Sequence, residues 1–201
     1  VASQALPNAS NTNQTVTVAD AGTNCAVAVV YMVNAAGSAN PSDSTGFLWD
    51  GVHKDWLTSA AVAGTQRMRI WIAFLPLGTI ASSTDYTFRP EWVDYGGNGN
   101  VGCYQAAIIP CYGVDQSNIS ETPLLSQDSA ATSKAISYSG ILAGHTGRIA
   151  VYVTCRRGGT SALTLTGATQ DLEAKSAGAG TGNGDTRSVI GHEAGSAGST
   201  N

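Results

Sequence analysis

The run CAVAVVYMV at residues 25–33 is apolar at odd and even positions alike. Successive side chains of a strand point to opposite faces of its sheet, so this run reads as a strand covered on both sides. Other segments show the period of two in its one-sided form. TVTV at 15–18 alternates, and RMRIWIAFL at 67–75 places Met68, Ile70, Ile72 and Phe74 on one face, with Arg67 and Arg69 opposite. FLWDGVHKDWLTSAAV reads as a short hairpin bending at Asp50-Gly51, two residues that tolerate positive φ. Pro76 and Gly78 are expected to end the strand that RMRIWIAFL begins, and Pro90 confines DYTFRPEWVDY to a sheet edge or a bulge. CYQAAIIPCYGV is a strand entering a turn, and KAISYSG, RIAVYVTC, the first half of SALTLTGATQDLEAK and RSVIGHEA supply further strands.

Helical periodicity is missing over any useful length. Its only candidates, TSAAVAGTQRM and QDLEAKSAG, are short and contain glycine. About ten short strands between Gly-rich turns predict an all-β fold, a single antiparallel β-sandwich of jelly-roll type with less than about a tenth of its residues in helix. Residues 15–201 form that domain in this reading, and the polar stretch 1–14 is an extended N-terminal arm. The core is expected from Val27, Val29, Tyr31, Ile70, Ile72, Phe74, Ala107, Ile109, Val151 and Val153.

Composition removes whole classes of partner. Only 12% of the 201 residues are charged and the net charge is -4, so no Lys/Arg excess exists to displace counterions from nucleic-acid phosphates. No apolar run approaches the ~20 residues of a membrane span. The opening VASQALPNAS lacks the basic start and apolar stretch of a signal peptide. The surface must be covered by hydroxyls, amides and small side chains.

Four cysteines, Cys25, Cys103, Cys111 and Cys155, are too widely spaced for a zinc site and contain no C-x-x-C pair. Along a strand Cys103 and Cys111 would stand about 27 Å apart, beyond a disulfide's reach. Antiparallel neighbours would bring together Cys25 with Cys111 and Cys103 with Cys155. The alternative is four thiols acting as small hydrophobes.

No residue set points to chemistry. His53, His145 and His192 lie in separate segments without metal-ligand spacing. His53 and Asp55 near Ser59 invite a triad reading, but no nucleophile elbow is present. Asp43, Asp50, Asp55 and Asp185 sit in loops without the spacing of a calcium site. No catalytic residue, cofactor or metal is therefore assigned. Trp49 and Trp56 flank the hairpin, and with Tyr95 they are the candidate contacts for a ligand or another subunit: either sugar-stacking platforms or packing residues.

The order of segments resembles a family of β-sandwich domains of bacteriophage virion accessory proteins and bacterial surface or secreted proteins. The likeness is carried by TVTVADAGTN leading into CAVAVVYMV, by FLWDGVHKDWLT, by Ile70-Trp71 followed by LPLGT, and by GVDQSNI at Gly113 to Ile119. Such domains finish with a further apolar strand that the sequence, ending at Asn201, does not show. The resemblance implies scaffold, decoration or attachment roles and brings no active site. Two functions are weighed: a virion structural protein such as a capsid decoration (cement) subunit, acting in a homo-oligomer on a major capsid or other virion protein, and a carbohydrate-binding or adhesive module. Both place the chain in a virion or outside the cell. An unfilled sheet edge would be completed by the arm, or by a neighbouring subunit's edge, through strand addition.

Overall fold

The computed structural model describes residues 4–7, 12–19, 21–35, 44–61, 67–91, 101–117, 149–157, 163–176 and 186–194. Among them the chain forms strands and no helix: β1 (Gln4–Pro7), β2 (Gln14–Val18), β3 (Gly22–Ala35), β4 (Gly46–Trp49), β5 (Val52–Lys54), β6 (Thr58–Ala61), β7 (Arg67–Ile80), β8 (Thr84–Glu91), β9 (Val101–Cys111), β10 (Ile149–Arg157), β11 (Thr169–Ser176) and β12 (Thr186–Ala194). Every pairing is antiparallel. A five-stranded sheet runs β1-β9-β3-β7-β6, a four-stranded sheet β2-β8-β4-β5, and a three-stranded sheet β10-β12-β11.

The five- and four-stranded sheets pack face to face as a sandwich. Odd-numbered residues of β3 (Cys25, Val27, Val29, Tyr31, Val33), with Trp71, Ala73, Leu75, Ala106 and Ile108, meet Val16, Val18, Phe47, Trp49 and Phe88 of the four-stranded sheet. Even-numbered residues of β3 (Ala28, Val30, Met32) turn the other way and cluster with Ala107, Ile109 and Ile190, the last contributed by β12. The two-sided run of the sequence is thus buried on both faces, as its pattern predicts. Ile70 and Phe74 pack against the second cluster, whereas the deeper face of β7 is the one that carries Trp71. The side chains of Val151 and Val153 lie outside the described residues.

Two segments with helical leanings are strands. Residues 58–61 pair with β7, and 169–176 pair with β12, because a hydrogen-bonded ladder outweighs propensities of a few tenths of a kcal/mol per residue. In SALTLTGATQDLEAK the strand therefore falls on the second half rather than the first. KAISYSG lies outside the described residues.

Proline placement departs from the sequence reading in an instructive way. β7 does not stop at Pro76 but continues to Ile80, bending where the β3 register shifts at Cys25/Ala26 and Gly78 takes φ +71°. β8 is an inner strand in spite of Pro90. Strand parity explains both. The Ile72 carbonyl accepts from Leu57 on the β6 side, so Pro76, four residues on, aims its nitrogen the same way, beyond the last β6 rung at Thr58↔Ile72. Thr87 exchanges hydrogen bonds with Asp50 on the β4 side, so Pro90 faces β2, whose ladder ends at Gln14↔Phe88. The same alternation turns Pro110 toward β1 beyond Gln4↔Ile108, and Pro7 outward from the sheet. Each missing N–H is placed where no partner strand needs it.

Of residues 1–14 the structure describes 4–7 and 12–14. Gln4–Pro7 join the five-stranded sheet on β9, and β2 already begins at Gln14 in the opposite sheet.

Among the described residues, the buried side-chain atoms without a hydrogen-bond partner are Arg69 Nε, Arg89 Nε and both polar atoms of Gln105. Gln105 of β9 is fully buried, and neither its amide oxygen nor its nitrogen has a hydrogen-bond partner. Its parity puts it on the side of Ala107 and Ile109, in the second cluster. A buried orphan amide costs about 1–3 kcal/mol. Gln105→Met, of similar shape, is expected to raise the unfolding free energy by about 1 kcal/mol or more. A urea titration showing a loss of stability would mean that the amide is satisfied in solution.

Candidate functional site

The hairpin that bends at Asp50-Gly51 builds the most polar corner of the described structure. Asp50 (φ 48°) and Gly51 (φ 77°) both adopt the left-handed backbone of a type I′ turn, and the Asp50 carboxylate accepts from the Thr87 N–H at 2.7 Å, fastening the bend to β8. The tight turn puts Leu48 opposite His53 and Gly46 opposite Glu91. His53 thereby reaches across β4 to the end of β8. Its Nδ1 hydrogen-bonds the Glu91 carboxylate, and its Nε2 lies 3.1 Å from Asp55 Oδ1. Gly46 is required between them: a Cβ there would stand 2.6 Å from His53 Cε1.

Two carboxylates on two ring nitrogens favour the imidazolium, in which both nitrogens donate. The hydrogen bond to Glu91, then that to Asp55, raises the pKa of His53 above its usual 6.5. The ring is half-exposed, at 49%, so solvent moderates the pairing. Below this corner the Ser44 hydroxyl accepts from Trp56 Nε1 at 2.8 Å and lies within donating reach of the Gly46 and Glu91 carbonyls. Histidine and serine are therefore each occupied by other groups, and no Ser–His pair forms here. Ser59 lies on β6 with its side chain outside the described residues.

Trp49, Trp56 and Trp71 pack into or against the core between the main sheets. Trp49 is 6% exposed, and its ring lies tilted by 32° against Tyr86 with centroids 5.1 Å apart. Trp56 lies parallel to Tyr31 (6.0 Å, 6°) and close to Phe47 (4.5 Å) and Trp71 (6.5 Å). The Arg69 guanidinium sits 5.3 Å from the Trp71 ring, a cation–π distance. Rings held this way pack the core rather than offer a face to a sugar. Tyr95 lies outside the described residues, as do His145, Asp43 and Asp185.

The pairing expected of Cys25 with Cys111 does not form. Cys111 pairs in register with Ala26, one residue off Cys25, and one residue is enough to turn a side chain to the other face. Cys25 accordingly lies in the cluster between the main sheets, while Cys111 packs on the second cluster and its thiol donates to the Ile109 carbonyl at 3.7 Å. Cys103 and Cys155 stand on β9 and β10 with side chains outside the described residues. Because β9 is continuous from Val101 to Cys111, Cys103 and Cys111 are held apart as the spacing predicts.

The motif GVDQS shapes the exit from β9. Gly113 and Val114 donate to the Thr23 and Asn24 carbonyls. Gln116 Oε1 accepts from the Gly78 N–H at 3.0 Å. Asp115 Oδ1 accepts from the Ser117 hydroxyl and N–H, which holds its carboxyl below the usual range. These hydrogen bonds shape the chain where it leaves β9. Among the described residues no group of three or more His, Cys, Asp or Glu is arranged to hold a metal, and no helix is long and apolar enough to cross a membrane.

The raised pKa of His53 carries a sign. Its contribution to stability is fully present below the unfolded value near 6.5 and is lost as pH rises through the higher folded value. The native protein is therefore expected to lose stability relative to His53→Gln as pH climbs through and above neutrality. Glu91→Gln is expected to bring the His53 midpoint back toward 6.5. A proton NMR titration of the ring that finds the native midpoint at or below 6.5 would refute the clamp.

Comparison of the chain with protein-family models, with curated proteins and with solved structures finds no match.

Proposed function

We propose that this chain is a non-catalytic structural subunit of a virion or another extracellular assembly, most specifically a decoration (cement) subunit seated on a capsid, and that it works through contacts with further protein subunits. The observation that carries the reading is at the sheet edge, where Gln4–Pro7 lie on β9 as an added strand. A sheet whose edge is closed by a short terminal strand offers the kind of margin at which strand addition works. The polar chemistry agrees: His53, Asp55 and Glu91 satisfy one another, and Ser44 fastens Trp56. A surface with few charges suits broad contacts between subunits, since little charge has to be desolvated. The stacking alternative loses Trp49 and Trp56, whose rings are spent on the core.

The native protein is expected to sediment as a discrete homo-oligomer, or to bind particles of its parent assembly, and to leave its velocity unchanged when soluble polysaccharides are added. A stable monomer shifted by polysaccharide would replace this reading with the carbohydrate-binding one.

A further inference from the structure

We infer that β5 is a proton-controlled latch: with His53 protonated, residues 52–55 lie closed on β4, and loss of that proton frees them and uncovers the β4 edge while the two packed sheets stay folded. The inference is independent of the structural-subunit reading and adds a regulatory device to the fold.

Packing holds β5 lightly. It is three residues long and forms a margin of the four-stranded sheet. None of its residues is buried: Val52 and His53 are exposed and Lys54 is intermediate. A strand with so little buried apolar contact opens at low cost. Its ladder has two hydrogen-bonded rungs, Trp49↔Val52 and Phe47↔Lys54, with the His53 backbone turned away from β4.

Both ends of the stretch are fixed, so opening is confined to it. On one side Asp50 is fastened to Thr87 of β8 in both directions. On the other, Trp56 lies against Tyr31 and Phe47, and its Nε1 donates to Ser44. Between these anchors, among the described residues, one side-chain hydrogen bond ties 52–55 to another strand, that of His53 with Glu91 of β8. Asp55 belongs to the same stretch as the ring and moves with it.

The tie needs the charge. Both ring nitrogens face carboxylates, and only the imidazolium donates from both. A neutral ring keeps one donor and turns a lone pair toward the other carboxylate. The remaining charged groups around it, among the described residues, are Lys54, Asp50 at the bend, and Asp85 and Arg89, which share the Glu91 face of β8; β4 contributes none. Imidazole is the side-chain chemistry that changes charge near neutrality. The hydrogen bond to Glu91 is the first cause of the raised pKa of His53. Closure is therefore fully favoured below 6.5, the ring's ordinary value, and that favour is lost as pH rises through the higher folded value. Once open, β4 presents the N–H and C=O groups of Phe47 and Trp49 as an unpaired edge, a margin able to accept another strand.

The test is amide exchange with water, followed by NMR across the His53 titration from about two pH units below its midpoint to about two above. Rates are expressed as protection factors, which remove the base catalysis of exchange itself. The amides of Phe47, Trp49, Val52 and Lys54 report the β5 ladder, and those of Val27 and Val29 report the core. The first set is expected to lose protection as the ring loses its proton, by about tenfold for each unit separating the ring midpoints of the native protein and Glu91→Gln. The second set is expected to hold its values, and Glu91→Gln to show no such step. β5 amides whose protection stays level, or that are unprotected at the acid end, overturn the latch. So does an equal loss at Val27 and Val29, which would place the effect in global unfolding. Equal ring midpoints in the two proteins overturn it as well.

Discussion

Nine consecutive residues of β3, Cys25 to Val33, are buried, and a strand without a wet face has to be enclosed from both directions. On one side this requires a whole sheet with an inward row of Val16, Val18, Phe47, Trp49 and Phe88. On the other it requires at least Ile190 of β12. Burial on both faces also fixes the strand's neighbours laterally, since a backbone in the dry interior needs ladders along both edges, here β7 and β9. The hairpin, the inward tryptophans and the strand on β9 are arrangements around this one dry strand.

Features encoded within a few adjacent residues were legible in the sequence. The two-sided apolar run gave β3, and Asp50-Gly51 gave the hairpin bend, whose left-handed backbone those residues accept. What depended on where a partner strand stops was not legible. Pro76 looked like a terminator and Pro90 like the mark of an edge or a bulge, because their missing N–H groups were read without knowing that β6 and β2 end just short of them. In SALTLTGATQDLEAK the strand was read in the first half, because nothing local reveals that β12 offers residues 169–176 a ladder. The Cys25–Cys111 expectation failed by a single residue of register, a quantity set by bulges rather than by spacing.

The polar corner shows the same limit. His53 and Asp55 are visible together, but Glu91 is 38 residues away and reaches His53 only because β8 pairs with β4. No spacing rule would have found it. Nor did the sequence mark Gln105 as a buried amide left without a partner; alternation shows that it lies in a strand, not what faces it.

The prolines have a consequence for how many directions the molecule can grow in. Pro7, Pro76, Pro90 and Pro110 each set a gap in the donor row at a point where a ladder runs out, so those margins resist templating a foreign strand. In a crowded array of identical β-sheet molecules the hazard is polymorphism, with edges meeting edges in many alignments. Proline gaps at the ladder ends leave fewer margins along which such meetings can start.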